Sequence, residues 1–124
     1  MDDRFDRGCE RFNAQDFFEA HEIWEDLWHE YRESDRTFLQ GLIQLAAGLY
    51  HLDSGNHKGA RSQLAKGTVK LQAYCPSYRG IDLTALMRDV SACVEAMERN
   101  EEQAAFSLSL FPAIRPSPPS GPPT

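Results

Sequence analysis

With 124 residues, 41% of them hydrophobic and 26% charged, the chain is long enough for one modest core, and its composition is that of an ordinary globular domain. No run approaches the roughly 18 apolar residues that span a bilayer, and the charged opening MDDRFDRGCERF is unlike a secretory signal, so a cytoplasmic protein with no membrane contact is expected. The net charge of −6 divides into −8 over residues 1–35, +5 over 36–80 and −3 over 81–124; with the basic residues spaced rather than clustered, no nucleic-acid partner is expected.

Helical periodicity dominates to about residue 100. Residues 3–12 make a short helix with Phe5, Cys9 and Phe12 on one side. Asp16 stands where an N-cap belongs and Glu19 follows at the capping-box spacing, so a second helix runs over about 17–32. A third covers about 36–53, capped by Ser34 or Asp35. SGN at 54–56 is a turn, and Asn56 caps a fourth helix over about 57–74, whose stripe is Ala60, Leu64, Gly67, Leu71 and Tyr74. CPSYRG at 75–80 breaks the pattern, and Asp82 caps a fifth helix to about 99. Its inward stripe is Leu83, Leu86, Met87, Val90, Val94 and Met97. FSLSLF at 106–111 alternates as an extended segment, and the proline-rich end cannot build a core.

These elements predict an all-α fold, a compact up-and-down helical bundle of four to five helices built from αα-hairpins. The expected divisions are a bundle over 1–105, an extended segment packed on it over 106–114, and a disordered Pro-rich tail over 115–124. Helices two and four open alike, with DFFEA at 16–20 and NHKGA at 56–60, but two copies do not make a solenoid. Cys9, Cys75 and Cys93 are odd in number and form no C-x-x-C pair, so neither a disulfide framework nor a zinc knuckle is expected.

The second helix, FFEAHEIWEDLW, holds the residues that could carry chemistry. Phe17, Ala20, Trp24, Leu27, Trp28 and Tyr31 share one broad apolar face. His21 lies at its edge, about 60° from Trp24, with Glu25 about 40° further round. A histidine and a carboxylate one turn apart satisfy each other as a buried polar pair that fixes helix register, or they begin a site. On the third helix Gln40, Gln44 and His51 line up beside the apolar arc, and Gly41 and Gly48 would let another backbone approach closely. If these two edges pack together, His21, Glu25, Gln44 and His51 converge. Two histidines and one carboxylate make a recognisable metal set, but H-E-x-x-E is not H-E-x-x-H and glutamine is a poor transition-metal ligand. No metal or other cofactor is therefore expected; were one bound, His21, Glu25 and His51 would hold it. His29 and His57 read as surface residues. No nucleophile has a base beside it in sequence, and GLIQLAAGLY lacks the glycine spacing of a phosphate loop.

The strings FNAQDFFEAHEIWEDLW (12–28), FLQGLIQLAAGLYHLDSGNHKGARSQL (38–64) and GID (80–82) resemble the domain-of-unknown-function family numbered 309, over about residues 5–98. The resemblance implies a compact up-and-down helical bundle. Its hallmark positions here are Phe12, Asn13, Glu19, Ala20, His21, Glu22, Glu25, Trp28, Gln40, Gly41, Gln44 and His51, and it carries over no activity.

Two functions follow as expectations. The favoured one is a non-enzymatic module that self-associates as a homo-oligomer or binds a protein partner, with Gln40, Gln44, His51 and Trp28 as binding candidates. The alternative is a small metal-dependent or acid–base enzyme using His21, Glu25 and His51, with Glu22 as proton carrier.

Overall fold

A computed structural model of the chain describes residues 3–31, 35–99 and 111–118. Among the described residues, five helices and one two-stranded hairpin follow in chain order. They are α1 (Asp3–Asn13), α2 (Phe17–Glu30), α3 (Arg36–Asp53), α4 (His57–Gln72), β1 (Ser77–Tyr78), β2 (Ile81–Asp82) and α5 (Leu83–Arg99). The all-α bundle expected from periodicity is what forms. No helix among the described residues is long and apolar enough to cross a membrane.

Local chemistry sets the helix ends. The Asp16 carboxylate accepts from Glu19 N (3.3 Å), Asn56 Oδ1 from Gly59 N (2.9 Å) and Asp82 Oδ1 from Ala85 N (3.0 Å), each covering a donor that the first turn leaves unsatisfied. α2 stops short of residue 32 because Tyr31 is extended, with its N–H returned to Trp28 O. The stretch CPSYRG does more than interrupt helix. Its Tyr78-Arg79-Gly80-Ile81 turn joins β1 to β2, and the positive φ of Arg79 (50°) and Gly80 (77°) matches the twist of a two-residue hairpin.

α3 is the centre of the core. Phe38, Leu39, Leu42, Leu45, Ala46 and Leu49 are fully buried because α2 packs along one side of the helix and α4 along another. Close contact with α4 needs glycine on both helices. A Cβ at Gly41 would meet the Leu71 side chain at 2.8 Å, one at Gly48 would meet Leu64 at 2.7 Å, and one at Gly67 would meet Gly41 O at 2.8 Å. α1 closes over α2 in the same way. Gly8 makes room for the indole of Trp24, whose Nε1 donates to Phe5 O (3.1 Å).

Residues 111–118 cross the bundle as extended chain. Phe111 packs its ring 5.3 Å from that of Phe17, and Ile114 is buried. The Asn13 side chain grips the Ile114 backbone from both sides, with Ile114 N donating to Oδ1 (2.7 Å) and Nδ2 donating to Ile114 O (2.8 Å). Arg115 and Ser117, where the tail is expected to begin, are hydrogen-bonded to the hairpin. Asp82 N donates to Arg115 O (2.9 Å) and Ser117 N to Gly80 O (2.8 Å). Residues 100–110 and 119–124, which include most of the FSLSLF segment and the end of the proline-rich tail, lie outside the described residues.

Candidate functional site between α2 and α3

The two candidate histidines meet in one cleft. It has a volume of about 200 Å³ and is lined by Phe18, His21 and Glu22 from α2 and by Ala47, Tyr50 and His51 from α3. His21 keeps 26% of its side chain exposed, with Nε2 3.1 Å from Glu25 and Nδ1 3.5 Å from Glu22. A neutral imidazole donates from one nitrogen only, so protonation would satisfy both carboxylates at once. Glu25 reaches forward too, its other oxygen 3.7 Å from His29 Nε2. It therefore bridges two histidines along the outside of α2. On the far wall His51 Nδ1 lies 3.4 Å from Asn56 Nδ2, so the residue that caps α4 also positions the second imidazole.

The expected convergence is partial. His21 and His51 share the cleft, and Glu22 rather than Glu25 joins them. Gln44 is turned to the other side of α3, where its Oε1 accepts from Lys70 Nζ of α4 (2.9 Å). Gln40 is half-buried and does not line the cleft. Trp28 lies away from it as well, with the Arg36 guanidinium 3.6 Å above the ring centroid. Among the described residues, no group of three or more His, Cys, Asp or Glu is placed to hold a metal ion. The His21–Glu25 pair sits at the rim rather than inside the core, because α2 buries its Trp24 face and leaves this edge in contact with solvent.

The mouth of the cleft is aromatic. Phe18 is 53% exposed and Tyr50 43%, with ring centroids 5.6 Å apart and planes tilted by 49°. Glu19, Glu22 and Asp26 stand on the same exposed side of α2.

One charged residue that the sequence offers only as a cap does something else. Asp35 is 3% exposed, and its carboxylate makes no cap hydrogen bond. It accepts instead from the Tyr78 hydroxyl and the Arg79 guanidinium of the hairpin. Tyr78 in turn packs against Phe38 and Tyr74 at centroid distances of 4.9 and 4.7 Å. This cluster ties the hairpin to the start of α3. Cys9 and Cys93 offer no nucleophile at neutral pH. Burial, then the charges of Asp6 and Glu10, push the Cys9 thiol up to about 12, and burial pushes Cys93 up to about 11.

These features define an all-helical domain with a small cleft, aromatic at its mouth and holding two histidines and a glutamate, walled by two adjacent helices. Residues 5–63, which supply every side chain of the cleft, match the family described as Domain of unknown function (DUF309), and the segment belongs to that family. The chain is 36% identical over 102 residues to Uncharacterized protein YpuF of Bacillus subtilis (strain 168), an alignment covering 82% of this chain and 55% of that protein. It is 31% identical over 74 residues to an Uncharacterized protein of Aquifex aeolicus (strain VF5), covering 58% of this chain and 22% of that one. The chain thus spans about half of the first relative and less than a quarter of the second.

Proposed function

We propose that this domain is a non-catalytic protein-interaction module that acts by self-association or by binding a protein partner. The observation that carries this reading is the exposed Phe18–Tyr50 pair. Two large rings in contact with each other and with solvent add nothing to the core. Aromatic side chains ringed by charge are the composition of an interface hot spot. Relatives in which the aligned region is only part of a longer chain fit a module of this kind. Native mass measurement and sedimentation across the accessible concentration range test the reading, with a tagged-domain pull-down beside them. Association that disappears in Phe18→Asp is expected. A lone monomer that captures no partner through this face would overturn the reading.

A second reading rests on His21, Glu22 and His51 lining one cleft: an acid–base or metal-assisted site for a small substrate. It requires turnover or metal binding that is lost in His51→Ala. It also requires His21→Ala to abolish activity at a stability cost below about 1 kcal/mol, the range of a partly exposed ion pair.

A further inference from the structure

We infer that the chain assembles head to tail with copies of itself, the Phe18–Tyr50 corner of one copy seated in a groove between α4 and α5 of the next. This rests on the interaction reading above and names its partner and geometry. The groove has a volume of about 360 Å³, and its apolar wall includes Leu64, Val69, Met87, Val90 and Val94. Val69, at 71% exposed, is among the most exposed large hydrophobic residues described, and with Phe18 and Tyr50 it completes that set. One surface is thus an aromatic knob and the other an apolar hollow.

Charge decides how they pair. α2 carries Glu19, Glu22, Glu25, Asp26 and Glu30 and no Lys or Arg; α4 carries Lys58, Arg61, Lys66 and Lys70 and no acid. α4 packs chiefly on α3, and α2 packs on α1 and α3 alike rather than on α4, so the fold keeps the two charge blocks apart. Among the acids of α2, Glu30 is met by Arg4 of α1 and Glu22 and Glu25 by histidines of their own helix, and Lys70 is met by a neutral glutamine. A two-fold contact through the knob would set α2 against α2, acid on acid. A two-fold contact that faced α4 with α4 across the groove would set cation on cation, Glu95 of α5 being the one acid in the groove lining. A two-fold contact could set α2 against α4 only if knob and groove of each copy lay in one interface. With α2 and α4 packed on different sides of α3, the heterologous arrangement is the one that sets α2 against α4 and avoids like charges face to face, which are strongly unfavourable at an interface. A heterologous contact leaves each end unsatisfied, so it grows into a ring or a filament rather than stopping at a dimer.

The test mixes two variants. Phe18→Asp removes the knob and keeps the groove; Val69→Asp blocks the groove and keeps the knob. Both positions are solvent-exposed, and unchanged far-UV circular dichroism and thermal midpoints verify that each variant folds. Sedimentation velocity should show wild-type species larger than a dimer and each variant alone weakened at least roughly 30-fold, the effect of removing a hot spot. An equimolar mixture should form a dimer that grows no further, because one good interface remains. Raising ionic strength from about 0.1 to about 1 M, which shortens the screening length from about 10 to about 3 Å, should weaken the wild-type assembly. If only one substitution matters, or if the mixture stays monomeric while the wild type assembles, the head-to-tail geometry is wrong and the interaction reading stands. Assembly that strengthens with salt also overturns it. A wild type that is monomeric throughout removes self-association altogether and leaves the pull-down to decide the partner arm.

Discussion

Gly67→Ala reverses an ordinary rule. In a helix interior that exchange usually stabilises by about 0.5–1 kcal/mol, because alanine has less backbone freedom to lose. Position 67 is mid-helix in α4, but a Cβ there would lie 2.8 Å from the carbonyl oxygen of Gly41 and 2.9 Å from Leu45 Cδ2. The leucine can rotate; the carbonyl belongs to the α3 backbone and cannot. The helices must separate by several tenths of an ångström, and separation loosens the seats of Leu64 against Gly48 and Leu71 against Gly41. Overpacking costs about 1–3 kcal/mol, and against a rigid backbone the upper part, about 2–3 kcal/mol, applies, so after the propensity gain the variant should be destabilised by about 1–2.5 kcal/mol. For a domain of this size, at about 3–6 °C per kcal/mol, that corresponds to a fall in Tm of roughly 3–15 °C. Urea and thermal unfolding followed by far-UV circular dichroism measure it, with exposed Ser62→Ala on the same helix as the control for propensity alone. A Gly67→Ala protein as stable as wild type, or more so, would refute the close approach of α3 and α4.

Asp35→Asn keeps the size of the side chain but turns an amide donor toward Arg79. It should lower stability by about 2 kcal/mol, the lower part of the range for hydrogen bonds to charged groups, since the Arg79 side chain is one-third exposed and screened. The urea midpoint should fall with an unchanged m-value; no shift would mean that the cluster does not anchor the hairpin. Cys9 and Cys93 provide a pH test. Their folded values, about 12 and about 11, stand above the ordinary 9.0, so folding disfavours the thiolate. The stabilisation is complete below about pH 9 and is lost as pH rises from there toward the folded values. Thermal midpoints should fall progressively over that alkaline window in the wild type and less in Cys9→Ser. Alkylation of Cys9 at pH 8 should be roughly a thousand times slower in the folded protein than in denaturant. Equal rates would place the thiol outside the buried environment.

What the sequence made legible was local or periodic. Asp16 with Glu19, Asn56 with Gly59 and Asp82 with Ala85 each join residues three apart, and a single turn of backbone decides them. The glycines of α3 announced a close approach because glycine in a helix interior is costly unless something needs the space. Long-range pairings left no such trace. Asp35 and its hairpin partners are 43 and 44 residues apart, and Asn13 and Ile114 are 101 apart. Asp35 looked sufficient as a cap, and nothing near it in the chain pointed to Tyr78. Trp28 sits on the apolar face of α2, but the face is wider than the core beneath it, so the ring takes a guanidinium as its cover.

The candidate site divides along the same line. Helical geometry put His21 beside Glu25, and the 3.1 Å contact is there. Whether Glu22 or Glu25 faces the opposite helix depends on how α2 is rolled against α3, which a helical wheel does not contain. Gln44 went to Lys70 for a similar reason: its partner is chosen by the position of α4, 26 residues later in the chain. The charge blocks are the clearest instance. As a string, an acidic first third and a basic middle can neutralise each other within one fold or between molecules. Because α3 runs between α2 and α4 and each packs on it, the fold holds the blocks on separate faces. The head-to-tail assembly proposed above would bring the blocks together, α2 of one copy against α4 of the next, with one exposed apolar feature beside each block.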